Sequence, residues 1–184
     1  MTRFTTEGAD SAAIWSPDSK YLVLSSAREG KTVFFRKLAD GRDTEEPLFT
    51  TKLPGSPQSW SGVGDLLAFT QSRVPSAEDI WTVPLQGEPT PRLILQTNFD
   101  NWGAVFSPNA RWIAYTSNES RRSEVYVRPY PGPGGKWQIS TEGGEEAHWA
   151  KSGRELFYRN GTKWMFCAST NHAGLCRTKA RSHV

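Results

Sequence analysis

Four aromatic residues, Trp15, Trp60, Phe106 and Trp149, recur along the chain at a spacing of about 45 residues. Each is followed at the same distance by an apolar triplet: Leu22-Val23-Leu24, Leu67-Ala68-Phe69, Ile113-Ala114-Tyr115 and Leu156-Phe157-Tyr158. A strand apolar at consecutive positions is covered on both faces. A second strand follows in each unit, marked by an aliphatic–aromatic pair: Val33-Phe34, Ile80-Trp81, Val125-Tyr126 and Met165-Phe166. A third precedes the next anchor: Leu48-Phe49-Thr50, Leu93-Ile94-Leu95 and Trp137-Gln138-Ile139. With the strand ending on the anchor, each unit has four short strands, and Trp15 and Leu22 read as core. No segment shows helical periodicity with caps.

Four-stranded units at this spacing predict an all-β chain, a β-propeller of about four antiparallel blades. Neighbouring blades would cover both faces of each sheet. A β-sandwich would show simple alternation without the long-range register. The turn after each anchor has its own chemistry. In Ser16-Pro17-Asp18-Ser19 and Ser107-Pro108-Asn109-Ala110, Pro presets φ at the first central position and Asp or Asn suits the second. The next position calls for φ > 0, which Gly64 and Gly153 meet freely and Ser19 and Ala110 meet at a cost of about 1 kcal/mol each.

The blades are expected over residues 1–168, with an irregular basic tail over 169–184 that carries Arg177, Lys179 and Arg181 and no acid. Unit four supplies three strands and then runs out. Phe4-Thr5-Thr6-Glu7-Gly8 echoes Ile139-Ser140-Thr141-Glu142-Gly143, so the chain opens on a blade's outer strand. That strand closes a small four-bladed ring with unit four, or the chain is an open arc of a larger propeller, whose free edges allow self-association.

Ile14-Trp15-Ser16-Pro17-Asp18-Ser19-Lys20-Tyr21-Leu22-Val23-Leu24 resembles the repeat of TolB-like β-propellers, and Val105-Phe106-Ser107-Pro108-Asn109-Ala110-Arg111-Trp112-Ile113-Ala114-Tyr115 is a second copy. Glu124-Val125-Tyr126-Val127-Arg128-Pro129 looks like the family's following strand. The likeness is closest to propeller regions attached to bacterial serine/threonine protein kinases. Unit two departs from it at Ser61-Gly62-Val63-Gly64, and unit four at Ala150-Lys151-Ser152-Gly153. The resemblance implies a propeller used in protein–protein interaction.

Composition narrows the classes. Twelve Pro, 16 Gly and eight Trp fit a turn-rich, aromatic β protein rather than a helical bundle. A net charge of +3, from 22 basic against 19 acidic residues, argues against a nucleic-acid binder. No apolar run approaches the roughly 20 residues of a membrane span. The N-terminal residues lack the apolar stretch of a secretory leader, so the chain as written reads as cytoplasmic, and as extracytoplasmic if cut from a longer membrane-anchored protein. Cys167 and Cys176 are expected as unpaired thiols, a single bridge being the alternative.

Kinase chemistry is excluded by the lack of a Gly-rich loop before a Val-Ala-x-Lys strand, of His-Arg-Asp and of Asp-Phe-Gly. Pro131-Gly132-Pro133-Gly134-Gly135-Lys136 mimics a phosphate loop, but Trp137 stands where Ser or Thr is required and no helix follows. No Gly-x-Ser-x-Gly elbow is present. The candidate ligand-binding residues lie where the innermost strands begin, at the expected channel mouth: Asp10, Asn101, Trp102, Glu145, Glu146 and His148. Their plainer reading is a solvated rim. With one histidine in the set, a metal there would be Ca²⁺ held by carboxylates and carbonyls, although no cofactor is expected. Arg28, Lys31, Arg121 and Arg122 read as a solvated rim of hairpin loops rather than a phosphate patch.

The leading expectation is a non-catalytic module that binds a protein or peptide. The alternatives are a small lactonase-like propeller hydrolase with a metal held by Glu145, Glu146 and His148, or a truncated fragment of a kinase-linked propeller.

Overall fold

The computed structural model describes residues 9–42, 44–73 and 77–168, and of residues 9–11 only the backbone. Every regular element among them is a strand. Sheet 1 is β1 (Ala9–Trp15), β2 (Tyr21–Arg28), β3 (Lys31–Leu38) and β4 (Glu46–Thr51). Sheet 2 is β5 (Gly55–Ser61), β6 (Leu66–Arg73), β7 (Ala77–Pro84) and β8 (Arg92–Leu95). Sheet 3 is β9 (Asn101–Phe106), β10 (Trp112–Ser117), β11 (Glu124–Pro129) and β12 (Trp137–Gln138). Sheet 4 holds β13 (Glu145–Trp149), β14 (Glu155–Asn160) and β15 (Lys163–Ala168). Strand order follows chain order in all four, and every pairing is antiparallel. No helix among the described residues is long and apolar enough to cross a membrane.

The first strand of each sheet is the inner one: β1 touches β5, β5 touches β9, and β9 touches β13. No comparable contact joins β13 back to β1, so the four sheets form an arc and not the four-bladed ring. Sheet 4 has no fourth strand among the described residues, and the segment Arg3–Thr6 that was to supply one lies outside them.

Three apolar clusters fill the spaces between successive sheets. Val23 and Phe34 of sheet 1 meet Leu67, Phe69 and Val83 of sheet 2. Ala68 and Ile80, on the other face of sheet 2, meet Ala104, Phe106, Ile113, Tyr115 and Tyr126 of sheet 3. Ala114, Val125 and Val127 of sheet 3 meet Ala147, Leu156 and Tyr158 of sheet 4. The doubly apolar second strand of each inner blade is thus explained by two neighbours. Phe34 stacks on Phe49 with ring centroids 4.4 Å apart and meets Phe69 edge-on at 5.2 Å. Each such fully buried ring contributes about 2–3 kcal/mol.

The anchors belong to these interfaces, each facing the preceding sheet: Trp60 toward sheet 1, Phe106 toward sheet 2, Trp149 toward sheet 3. Trp15 corrects the expectation of a core residue. No described sheet precedes sheet 1, and its ring is 57% exposed. Tyr130 and Trp137 pack edge-on to Phe106 at 5.2 Å and Trp112 at 5.5 Å.

Cys167 is buried in the cluster between sheets 3 and 4 and is disulfide-bonded, against the expectation of an unpaired thiol. The one other cysteine of the sequence, Cys176, lies outside the described residues.

Candidate binding groove

The turns that follow the anchors line one side of the arc, and two clefts open among them. One, of about 350 Å³, is lined by Trp60, Phe106, Pro108, His148, Trp149 and Lys151, with serines 59, 61 and 107 between them. The other, of about 540 Å³, lies between the turns of sheets 1 and 2 and is lined by Asp18, Tyr21, Arg36, Asp65 and Gln86 among others. Both clefts share Trp60, Ser61 and Gly62, so Trp60 is the common wall of one groove.

Local hydrogen bonding fixes that wall. The Ser16 hydroxyl donates to Asp18 Oδ1 at 2.6 Å and accepts from the Tyr21 N–H at 2.9 Å. The Ser107 hydroxyl repeats this with Asn109 and the Trp112 N–H. The third turn residue adopts positive φ in all four units: Ser19 at 59°, Gly64 at 73°, Ala110 at 52° and Gly153 at 68°. Consecutive turns touch: a methyl placed on Gly62 would lie 3.5 Å from Pro17 Cβ, and one on Gly153 3.6 Å from Pro108 Cδ. The Trp60 indole donates to Asp65 Oδ1 at 2.5 Å, and the Trp149 indole to the Val105 carbonyl at 3.3 Å. Both rings are oriented by the protein itself.

The groove's two ends differ in charge. Asp18 and Asp65 line the sheet 1–2 end, where Arg36 is taken up by a bidentate pair with Glu46 at 2.7 and 2.8 Å. The hydrogen bond from Ser16 holds the Asp18 carboxyl below the usual carboxylate range, with help from the Lys20 N–H. Among the described residues, His148 and Lys151 are the only titratable side chains lining the other end.

Of the residues expected at the channel mouth, Asp10 has its side chain outside the described part of the structure, and the other five do not form one group. The backbone of Asp10 pairs with Ser26. Asn101 is fully buried, and its amide donates to the carbonyls of Glu78 and Phe99 and to Thr97 Oγ1. It ties down the loop before β9 and presents nothing to solvent. Trp102, half-buried, stands opposite Thr116. Glu145 stands opposite Arg159, whose guanidinium forks onto Glu146, with Nε 2.7 Å from Oε2. That pair holds the Glu146 carboxyl below its usual range. Among the described side chains of the set His148 alone lines the groove, and its ring lies 6.1 Å from Trp164.

The cause is a bulge in every inner strand just ahead of the anchor, at Asp10/Ala13, Pro57/Ser59, opposite Ala114/Thr116, and at Glu145/His148. Glu146 sits in the last with φ of 53° and Gly103 in the third with φ of 63°. An inserted residue re-aims those beside it. Among the described residues no three His, Cys, Asp or Glu side chains are grouped to hold a metal ion, so Glu145, Glu146 and His148 form no such set.

Two hairpin arginines are structural struts. Arg28 pairs with Glu45 at 2.7 Å, and Arg122 Nε lies 2.8 Å from the fully buried Glu124. In sheet 2 Arg73 does the same for the buried Asp79 at 2.8 Å, a pairing with no separate signal in the sequence.

Successive antiparallel sheets, three of four strands and one of three among the described residues, packed face to face around inner strands define an arc of β-propeller blades. The fold is that of TolB-like and other β-propellers. A TolB of Agrobacterium tumefaciens superposes with a TM-score of 0.71 at 19% identity, over 84% of this chain and 59% of that one. TolB of Acinetobacter baumannii gives 0.69 at 17% identity, over 94% and 44%. A protein of Bacteroides uniformis described as a 6-phosphogluconolactonase gives 0.63 at 13% identity, over 94% and 54%. The chain therefore spans less than two thirds of each of these structures. No family model and no curated protein matches the sequence.

Proposed function

We propose that this chain is a non-catalytic recognition module that binds a protein or peptide segment along the groove on its turn side. The observation that carries this reading is Trp60, oriented by its bond to Asp65 and walling two adjoining clefts. A concave, partly apolar surface with fixed aromatics and a few polar groups suits an extended segment, and aromatic anchors dominate such contacts. The groove stands on turns held by their own hydrogen bonds, so little ordering cost falls on binding. The likeness to TolB folds supports a propeller scaffold for it.

The test is selection from a phage-displayed random peptide library on the full chain, followed by titration of the selected peptides. Peptides should be enriched whose affinity drops at least about tenfold in Trp60→Ala, the size expected for a hot-spot aromatic. Failure to select any peptide, or selected peptides indifferent to Trp60, would reject the reading.

A further inference from the structure

The end of the groove beside sheet 4 has a one-sided chemistry. Its apolar walls are Trp60, Phe106, Pro108 and Trp149. Most of its polar atoms already have partners. The two indole N–H groups are spent on Asp65 and on the Val105 carbonyl. The Ser61 hydroxyl donates to the Val63 carbonyl, the Ser107 hydroxyl donates to Asn109, and the Ser59 hydroxyl accepts from the Phe106 N–H. What is left is Lys151, with His148 beside it, and the Ser59 hydroxyl, which still has its proton to donate. Lys151 is exposed and makes no ion pair among the described residues, and no carboxylate lines this cleft. The carboxylates of the groove, Asp18 and Asp65, line the cleft beyond Trp60.

We infer that this cleft is a carboxylate-binding subsite, taking an apolar residue that bears or adjoins a carboxylate. The apolar side chain lies against Trp60, Phe106 and Trp149, and the carboxylate faces Lys151 and His148. Lys151 and His148 stand at the exposed rim of the cleft, so their pull on an anion is a salt-screened surface attraction added to the apolar contact. The wall at Asp65 repels the same anion, which orients the ligand with its negative end toward sheet 4. This rests on the reading of the groove as a peptide site and adds the chemistry of one end. The carboxylate can come from a chain terminus or from an acidic side chain.

The experiment follows the amide and indole N–H resonances of the full ¹⁵N-labelled chain as three probes are added: N-acetylphenylalanine, its amide, and N-acetyl-phenylalanyl-aspartate with a C-terminal amide. The expected result is a saturable shift of the Trp149 indole with the first or third probe, and binding of the amide weaker by at least fivefold. Binding of the first alone assigns a terminal carboxylate, and of the third alone a side-chain one. The preference should vanish in Lys151→Gln and shrink on raising NaCl from 20 to 300 mM (roughly a fourfold shorter Debye length), which gives a second readout free of any folding defect. Equal binding of the amide overturns the carboxylate subsite and leaves the peptide groove standing. No shift with any probe overturns the subsite, and the groove itself is then judged by its Trp60-dependent peptides.

Discussion

The Ser107 hydroxyl donates to Asn109 Oδ1 over 2.8 Å while accepting the Trp112 N–H over 3.0 Å. Ser107 is 3% exposed, so its hydroxyl is a buried brace beneath an exposed turn that the Ala110 N–H also closes onto the Ser107 carbonyl at 2.8 Å. The same turn forces Ala110 to a φ of 52°. Ala110→Gly should therefore raise the melting temperature: relief of left-handed strain is worth about 1 kcal/mol, partly offset by the freer unfolded chain. Ser107→Ala should lower it by the equivalent of roughly 1–2 kcal/mol, because it orphans the Trp112 N–H and Asn109. Thermal melts of the two variants check both signs.

The first turn differs from the third by a titrating group. Asp18 stands where Asn109 does, and its carboxyl is held below the usual range by Ser16. A carboxyl with a depressed folded pKa contributes stability above its unfolded pKa, and loses it as pH falls through the folded value. The melting temperature should thus fall more steeply below pH 4 in the natural protein than in Asp18→Asn. Parallel curves would show that Ser16 does not favour the charged form.

Much of this was legible in the sequence, because turn chemistry and two-sided apolar strands act locally. The anchors, the triplets behind them and the positive φ at Ser19 and Ala110 all follow from short-range rules. Trp15 was not legible: its environment depends on whether another sheet precedes it, and it carries the same residue pattern as the anchors that pack against a preceding sheet. Nor was the failure of Asn101, Glu145 and His148 to converge. Bulges shift side chains between faces without a distinctive composition, since Glu146 and Gly103 occupy similar conformations with unrelated side chains. The groove was hidden for a third reason. Its wall is made of anchors that read as core, and Trp60 and Trp149 are partly both.

Glu124 is fully buried and is satisfied by Arg122, by the Ser140 hydroxyl and by the Gly143 N–H. Arg122 itself is largely exposed. Arg122→Ala should cost about 3 kcal/mol despite removing an exposed side chain, because it strands a buried carboxylate. The double variant with Glu124→Gln should recover much of that loss. A double-mutant cycle by urea denaturation measures it, and additive single effects would refute the strut.

Sheet 4 exposes an aromatic face, with Trp164 at 53% and Phe157 at 36%, where the equivalent Val23, Ala68 and Ala114 are fully buried against the next sheet. Apolar area left in water adds nothing to folding stability and promotes association. Trp164→Glu should leave the melting temperature within about 0.5 kcal/mol equivalent of the parent, while reducing light scattering in concentrated solution. A large loss of stability would mean that the ring is covered in solution.

Glu78 sets the last test. It lines a cavity of about 150 Å³ between sheets 1 and 2 together with Ser25, Ser26, Thr32, Thr70 and Ser72. Burial, and secondarily the charge of Asp100, push its carboxyl above the ordinary range. The folded state then holds this proton more tightly than the unfolded state does. Stability assigned to Glu78 is greatest below the unfolded pKa and declines as pH rises through the folded one. At neutral pH the charged carboxylate opposes folding, moderated by its remaining contact with solvent. Glu78→Gln should accordingly raise the melting temperature at pH 7 and leave it nearly unchanged at pH 3, where both side chains are neutral. A gain of the same size at both pH values would trace the effect to packing instead, and a loss at pH 7 would show that the carboxylate has a cationic partner in the cavity.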